Sequence, residues 1–212
     1  MLVWHASWAW MNELMDMRGR AGDWARPAVA LTVADVIAMG SLVDALPPDE
    51  CTEAARRAMA VWGLAGVGVR RGADWVGVML IAPSDGLPRG HPLCANGLDR
   101  DTAGVILACT DPSVPAVAVG KRLLVGLSRR MRGQVTGIEA QASPLSALAT
   151  PLAPSGAWLS KLGFQRMRYP LNRYRLECAS LVVWLQRHVQ PYRPHAVRLA
   201  TRPAPANRVG GK

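Results

Sequence analysis

The chain has 212 residues, 50% of them apolar, with 25 Lys and Arg against 15 Asp and Glu and a formal net charge of +10. That length suits one domain with a sizeable core and excludes a wholly disordered chain; no apolar run nears the ~20 residues that span a bilayer, and no basic stretch before an apolar segment marks a secretory leader. Cys51, Cys94, Cys109 and Cys178 stand without Cys-x-x-Cys spacing, which argues against a metal site and for reduced, buried thiols in a cytoplasm.

Residues 1–26 read as an N-terminal segment of their own. Trp4, Trp8, Met11 and Met15 fall at helical spacing, with Asn12, Glu13 and Asp16 on other faces. This amphipathic helix lacks the basic face of a membrane-surface helix, so it is expected to pack on its own domain or on a second subunit, and a homodimer is one expected assembly. The folded domain is expected over 27–185. It opens with a strand at 29–33 and a helix at 35–46 stopped by Pro47-Pro48. A second helix spans 49–62, with Asp49 or Thr52 as cap and Ala55, Met59 and Trp62 on one face. Residues 64–69 and 75–82 read as a hairpin with Gly72 in its turn.

A loop rich in Pro, Gly and Asp follows over 83–102, a length that in a compact domain often signals function. Next come a buried-looking strand at 103–110, a helix at 120–132, a strand at 135–141 and a Ser/Pro/Ala/Leu loop at 142–154. A helix over 155–162 starts from Ser155, and strands near 164–168 and 174–181 close the domain. Residues 186–212 carry Pro, Arg and Gly but no acid and are expected to be largely disordered. Strands mixed with helices point to an α/β fold around a mixed sheet.

Charge divides the chain. Residues 1–111 carry 9 basic and 13 acidic side chains, whereas 112–212 carry 16 basic and only Glu139 and Glu177. A positive field there favours a polyanionic cofactor and equally nucleic acid. Arginine outnumbers lysine by 22 to 3, so part of the excess reflects a GC-rich genome. Tyr192 is the one aromatic among the basic residues of the tail, so no stacking platform for nucleic acid is present.

The stretch Pro115-Ala-Val-Ala-Val-Gly-Lys-Arg-Leu-Leu124 joins the 103–110 strand to a helix. Small residues at such a turn leave backbone N–H groups uncovered, and a helix start adds unpaired N–H groups and a positive dipole end. Together they suit phosphate, and Lys121 and Arg122 add charge; the same stretch also fits an ordinary strand-turn-helix connection.

This turn, together with Ala157-Trp-Leu-Ser-Lys-Leu-Gly-Phe164 downstream, resembles the GNAT acyltransferases. Pro115 takes the place of that family's Arg or Gln, Ala118 its first Gly and Gly120 its Gly/Ala, followed by Lys121, Leu123 and Leu124. Leu162-Gly163-Phe164 matches the family's helix-ending Leu-Gly-Phe. The resemblance covers roughly Pro27 to Trp184. It implies a twisted, splayed sheet with acetyl-CoA in a V-shaped gap between strands 103–110 and 135–141. It also implies acetyl transfer to an amine acceptor, a small molecule or a protein.

The resemblance assigns the pyrophosphate to the backbone of Val117, Ala118, Val119, Gly120 and Lys121, with Arg122 alongside. The thioester oxygen falls to a strand N–H among Leu107, Ala108 and Cys109. The family's Tyr acid is replaced by Leu159. For the base, Glu139 is the one acid in a strand flanking the gap; it either meets a substrate amine or pairs with an arginine. His91 is a second base by its ordinary pKa, or else a turn residue. Tyr169 and Tyr174 read as structural. Because the Tyr is missing, a non-catalytic acyl-CoA-binding or protein-interaction module on the same scaffold stands as the alternative.

Overall fold

The computed structural model describes residues 27–39, 47–131, 133–143 and 153–178. The expected N-terminal helix, the basic tail, Arg132 and most of the 142–154 loop lie outside the described residues.

The first strand, β1 (Val29–Leu31), leads into α1 (Val33–Ala38) through a reciprocal cap. Thr32 Oγ1 accepts the Asp35 N–H, and the Asp35 carboxylate accepts the Thr32 N–H at 2.9 Å. Two otherwise orphaned donors are thereby met, and these bonds to Thr32 hold the Asp35 carboxyl below its ordinary range. Pro48 opens α2 (Pro48–Trp62), at a position where its missing N–H costs nothing. Gly63, at φ 72°, ends that helix in the left-handed conformation and donates to the Met59 carbonyl.

The hairpin β2 (Gly66–Arg71) and β3 (Asp74–Ala82) turns at Gly72, φ 61°. Two 3-10 turns, Ser84–Gly86 and Pro92–Asn96, occupy the long loop before β4 (Thr102–Thr110). Then come α3 (Ala116–Arg130), β5 (Gly137–Gln141), α4 (Gly156–Lys161), β6 (Gln165–Arg166) and β7 (Arg173–Glu177). Ser155 Oγ accepts the Trp158 N–H at 3.1 Å and caps α4 as the sequence implied.

The strands form one open seven-stranded sheet in the order β1-β2-β3-β4-β5-β7-β6, antiparallel except for β4 against β5. The expected mixed α/β layering is therefore met. On one face α1 and α2 bury Val36, Cys51, Ala54 and Ala55 against Leu31, Val78, Leu80 and Ile106. On the other, α3 and α4 bury Leu123, Leu127 and Leu159 against Val67, Met79, Ile138 and Ala140. Each fully buried Leu contributes about 1.5–3 kcal/mol. Close approach depends on absent side chains. A Cβ on Gly77 of β3 would overlap Val119 of α3, and one on Gly120 would lie 2.7 Å from Trp158 and 3.0 Å from Leu162.

Candidate functional site

The parallel pair β4/β5 holds together only at Thr102↔Gly137, Ala103↔Ile138 and Gly104↔Glu139. Beyond these, β4 continues to Thr110 and β5 to Gln141 without pairing to each other, so the sheet splits at its centre. The split lies between the two strands named for it in the sequence.

Two residues past its last pairing with β5, in the middle of the strand, β4 carries a bulge. Leu80 pairs with Leu107 and Ile81 with Val105, leaving Ile106 as the extra residue. The ladder phase selects which groups face the split. Asp111 donates its N–H to the Val76 carbonyl at 2.9 Å, while Ile81 turns its N–H away from β4, to Ala65 at 3.1 Å. Bonded and non-bonded pairs alternate along an antiparallel ladder. With Val78↔Cys109, Met79↔Ala108 and Leu80↔Leu107 in register, the N–H groups of Leu107 and Cys109 turn to β3. Those of Ala108 and Thr110 turn to the split. Of the three strand residues named from sequence, Ala108 alone offers its N–H there. The Cys109 thiol is pushed up by burial, partly offset by the Val78 backbone.

After β4 the chain turns through Asp111–Val114. Ser113 N–H donates to the Asp111 carboxylate at 2.7 Å, which, with the Ser113 hydrogen bonds foremost, holds that carboxyl below its ordinary range. Helix α3 then starts at Ala116, four residues before the start expected at 120. No side chain caps it, and Pro115 at its edge has no N–H. Val119 N–H already donates to the Pro115 carbonyl at 3.1 Å. The N–H groups outside the helical ladder are thus those of Ala116, Val117 and Ala118. Of the residues assigned to phosphate, Val117 and Ala118 sit in that first turn. Val119, Gly120, Lys121 and Arg122 lie deeper in the helix, where N–H groups bond four residues back. Gly120 faces α4, touching Trp158 and Leu162, rather than the turn. Lys121 and Arg122 are half-buried, and desolvation lowers the Arg122 pKa.

The two residues assigned to proton transfer occupy the start of the split, and both are engaged. His91 is 2% exposed. Its Nδ1 accepts the Leu93 N–H at 3.2 Å, so the proton resides on Nε2, which donates to the Ile106 carbonyl at 3.1 Å. Burial lowers its pKa to about 4, against the opposing effect of the Ile106 bond. Glu139, also 2% exposed, meets Arg175 at 2.9 Å and Arg173 at 3.1 Å. The Arg173 contact is misaligned, leaving Glu139 Oε2 and Arg173 Nε without hydrogen-bond partners.

Arg173 and Arg175 went unmarked in the sequence. Arg173 donates to the carbonyls of Leu93 at 3.1 Å and Gly97 at 2.7 Å. Arg175 bonds Asp99, Thr102, Glu139 and, at 2.6 Å, Glu177. Burial alone would lower the Arg175 pKa; the carboxylates of Glu177 and Glu139 outweigh it and raise it. The cluster ties the 83–102 loop to β5 and β7. The alternation Arg173-Tyr-Arg-Leu-Glu177 opposite the lone acid Glu139 was the available signal.

Leu159 is 1% exposed and packed in the core, with no ionisable group in its place. Tyr174 packs its ring on the core and its hydroxyl against Gly156, whereas Tyr169 is exposed. Among the described residues no group of three His, Cys, Asp or Glu could hold a metal ion, and no helix is long and apolar enough to cross a membrane.

No protein-family model matches the sequence, and no curated protein matches it. Solved structures do. The chain is similar to the aminoglycoside acetyltransferase AAC(6')-Ib in complex with coenzyme A, at 14% identity and TM-score 0.49, over 77% of this chain and 98% of that one. It is similar to yncA from Salmonella typhimurium with its cofactor acetyl-CoA, at 14% identity and TM-score 0.48, over 71% and 92%. A protein of Desulfovibrio desulfuricans assigned to the GNAT acetyltransferase family is similar at 16% identity and TM-score 0.45, over 71% and 98%.

Proposed function

We propose that the chain binds acetyl-CoA in the β4/β5 split and transfers its acetyl group to an amine. The observation that carries this reading is the split itself: a parallel strand pair parted just past Gly104↔Glu139, with an uncapped helix start directly after the parted strand. The pyrophosphate takes the N–H groups of Ala116, Val117 and Ala118 and the positive end of α3. The extended pantetheine arm lies beside β4, where Ala108 and Thr110 present N–H and C=O groups as a neighbouring strand would. The Ala108 N–H polarises the thioester carbonyl.

Neither His91 nor Glu139 serves as base in this scheme. One has both ring nitrogens in hydrogen bonds, and the other faces two guanidinium groups. The acceptor therefore attacks as the free amine. Its nitrogen bonds to the acetyl carbon, the C–S bond breaks, and the electron pair leaves on sulfur. A thiol of ordinary pKa near 8.5 is a fair leaving group without a protein acid, which is consistent with a buried Leu at 159. The released proton goes to solvent.

Release of CoA thiol, followed over a panel of primary amines and protein N-termini, tests the proposal. Turnover should rise with pH along the acceptor's own titration, with no inflection near 6.5 from the protein. Tight acetyl-CoA binding without turnover on any acceptor would favour the second reading, a non-catalytic acyl-CoA-binding module, which the buried Leu159 supports.

A further inference from the structure

We infer that His91 is a positioning residue, which fixes the β4 bulge at the start of the split and thereby the aim of the Ala108 N–H. Gly104 is the last β4 residue paired with β5, and Ile106, two residues on, is the bulge. Its carbonyl is a buried acceptor beyond the reach of the β4/β5 ladder, and an unmet buried acceptor is costly. His91 supplies the donor, from a ring 2% exposed.

The ring is itself held. Leu93 N–H occupies Nδ1 and so selects the tautomer that donates from Nε2. The turn bearing both residues is anchored by Arg173 on the carbonyls of Leu93 and Gly97. It also presses on the start of the split, since a Cβ on Gly104 would lie 2.7 Å from Leu98 and 3.0 Å from Leu93. A path of contacts thus runs from β7 through the loop to the bulge. A base would need a lone pair directed at substrate; here that lone pair is spent inside the loop. What the imidazole offers is a neutral, fixed N–H, and its depressed pKa keeps it so above about pH 5.

The test uses the full chain with His91→Phe, which fills similar space without a donor, and His91→Gln, whose amide can donate to Ile106. Two quantities are read: amide exchange at Leu107, the N–H of the same peptide unit, without ligand, and the Kd for acetyl-CoA. In His91→Phe, Leu107 exchange should quicken about tenfold or more and the Kd should rise about tenfold, with His91→Gln returning both to within about threefold of wild type. Wild-type values of both in His91→Phe, or no recovery with Gln, would overturn the inference. The Kd arm rests on the acyl-CoA reading. If the wild-type chain bound no acetyl-CoA, that reading would fall, while Leu107 exchange would still decide the role of His91.

Discussion

Removing Glu139 while leaving Arg173 in place should be the most damaging single change in the loop cluster. Arg173 is 4% exposed, and its other partners are two backbone carbonyls. Breaking a buried ion pair from one side costs about 3–5 kcal/mol, because the remaining charge stays buried without its counter-charge. The two carbonyl bonds survive, which places Glu139→Leu near the lower end, about 3 kcal/mol. Arg175 is buffered by Asp99 and Glu177 and adds little to that loss. Arg173→Met leaves Glu139 its Arg175 partner but strips the Leu93 and Gly97 carbonyls of donors, for about 2–3 kcal/mol. The double variant replaces the pair with apolar volume, so its cost should fall short of the sum by about 2 kcal/mol. Urea unfolding of the four chains gives the coupling energy directly. Additivity to within about 0.5 kcal/mol would refute the claim that the two side chains act as one buried unit.

Three further outcomes are expected. Pro115→Asp supplies the cap that α3 lacks and occupies its first-turn N–H groups, so it should stabilise the fold by up to about 1 kcal/mol while weakening acetyl-CoA binding at least about tenfold; a stabilised variant with unchanged affinity would move the phosphate site elsewhere. Gly120→Ala should destabilise by about 1–3 kcal/mol because Trp158 and Leu162 must yield, and thermal unfolding showing no loss would contradict that packing. His91 has a folded pKa of about 4 against 6.5, so the unfolded chain binds more protons between those values. Stability should therefore fall as pH drops from about 6.5 to 4, by about 2–3 kcal/mol from this residue. His91→Gln should lose that component of the pH dependence, and an unaltered pH profile would count against it.

The layered architecture was legible because its elements are locally determined. Ser155 caps a short helix, Gly72 turns a hairpin, and α2 carries an apolar face between Pro48 and Gly63. The sequence pattern places the start of α3 four residues late, at 120 instead of Ala116. Val117 and Val119 lower local helix preference and Gly120 mimics a turn, yet Val119 is wanted against Gly77 and Gly120 against Trp158. The partners of Glu139 lie 34 and 36 residues away on β7, so only strand pairing brings them together. The choice of Ala108 over Leu107 and Cys109 depends on ladder phase, which leaves no trace in residue identity. The ordinary pKa of histidine marks His91 in the sequence, but its burial depends on how the 83–102 loop folds onto Gly104.

Calorimetric titration of the full chain with acetyl-CoA, CoA and ATP asks whether the β4/β5 split holds an acyl-CoA. The split with its uncapped helix predicts acetyl-CoA and CoA binding with Kd on the order of micromolar, and much weaker binding of ATP, which cannot lie along β4. Binding of ATP as tight as that of acetyl-CoA, or no binding of either CoA form, would rule out the split as an acyl-CoA site.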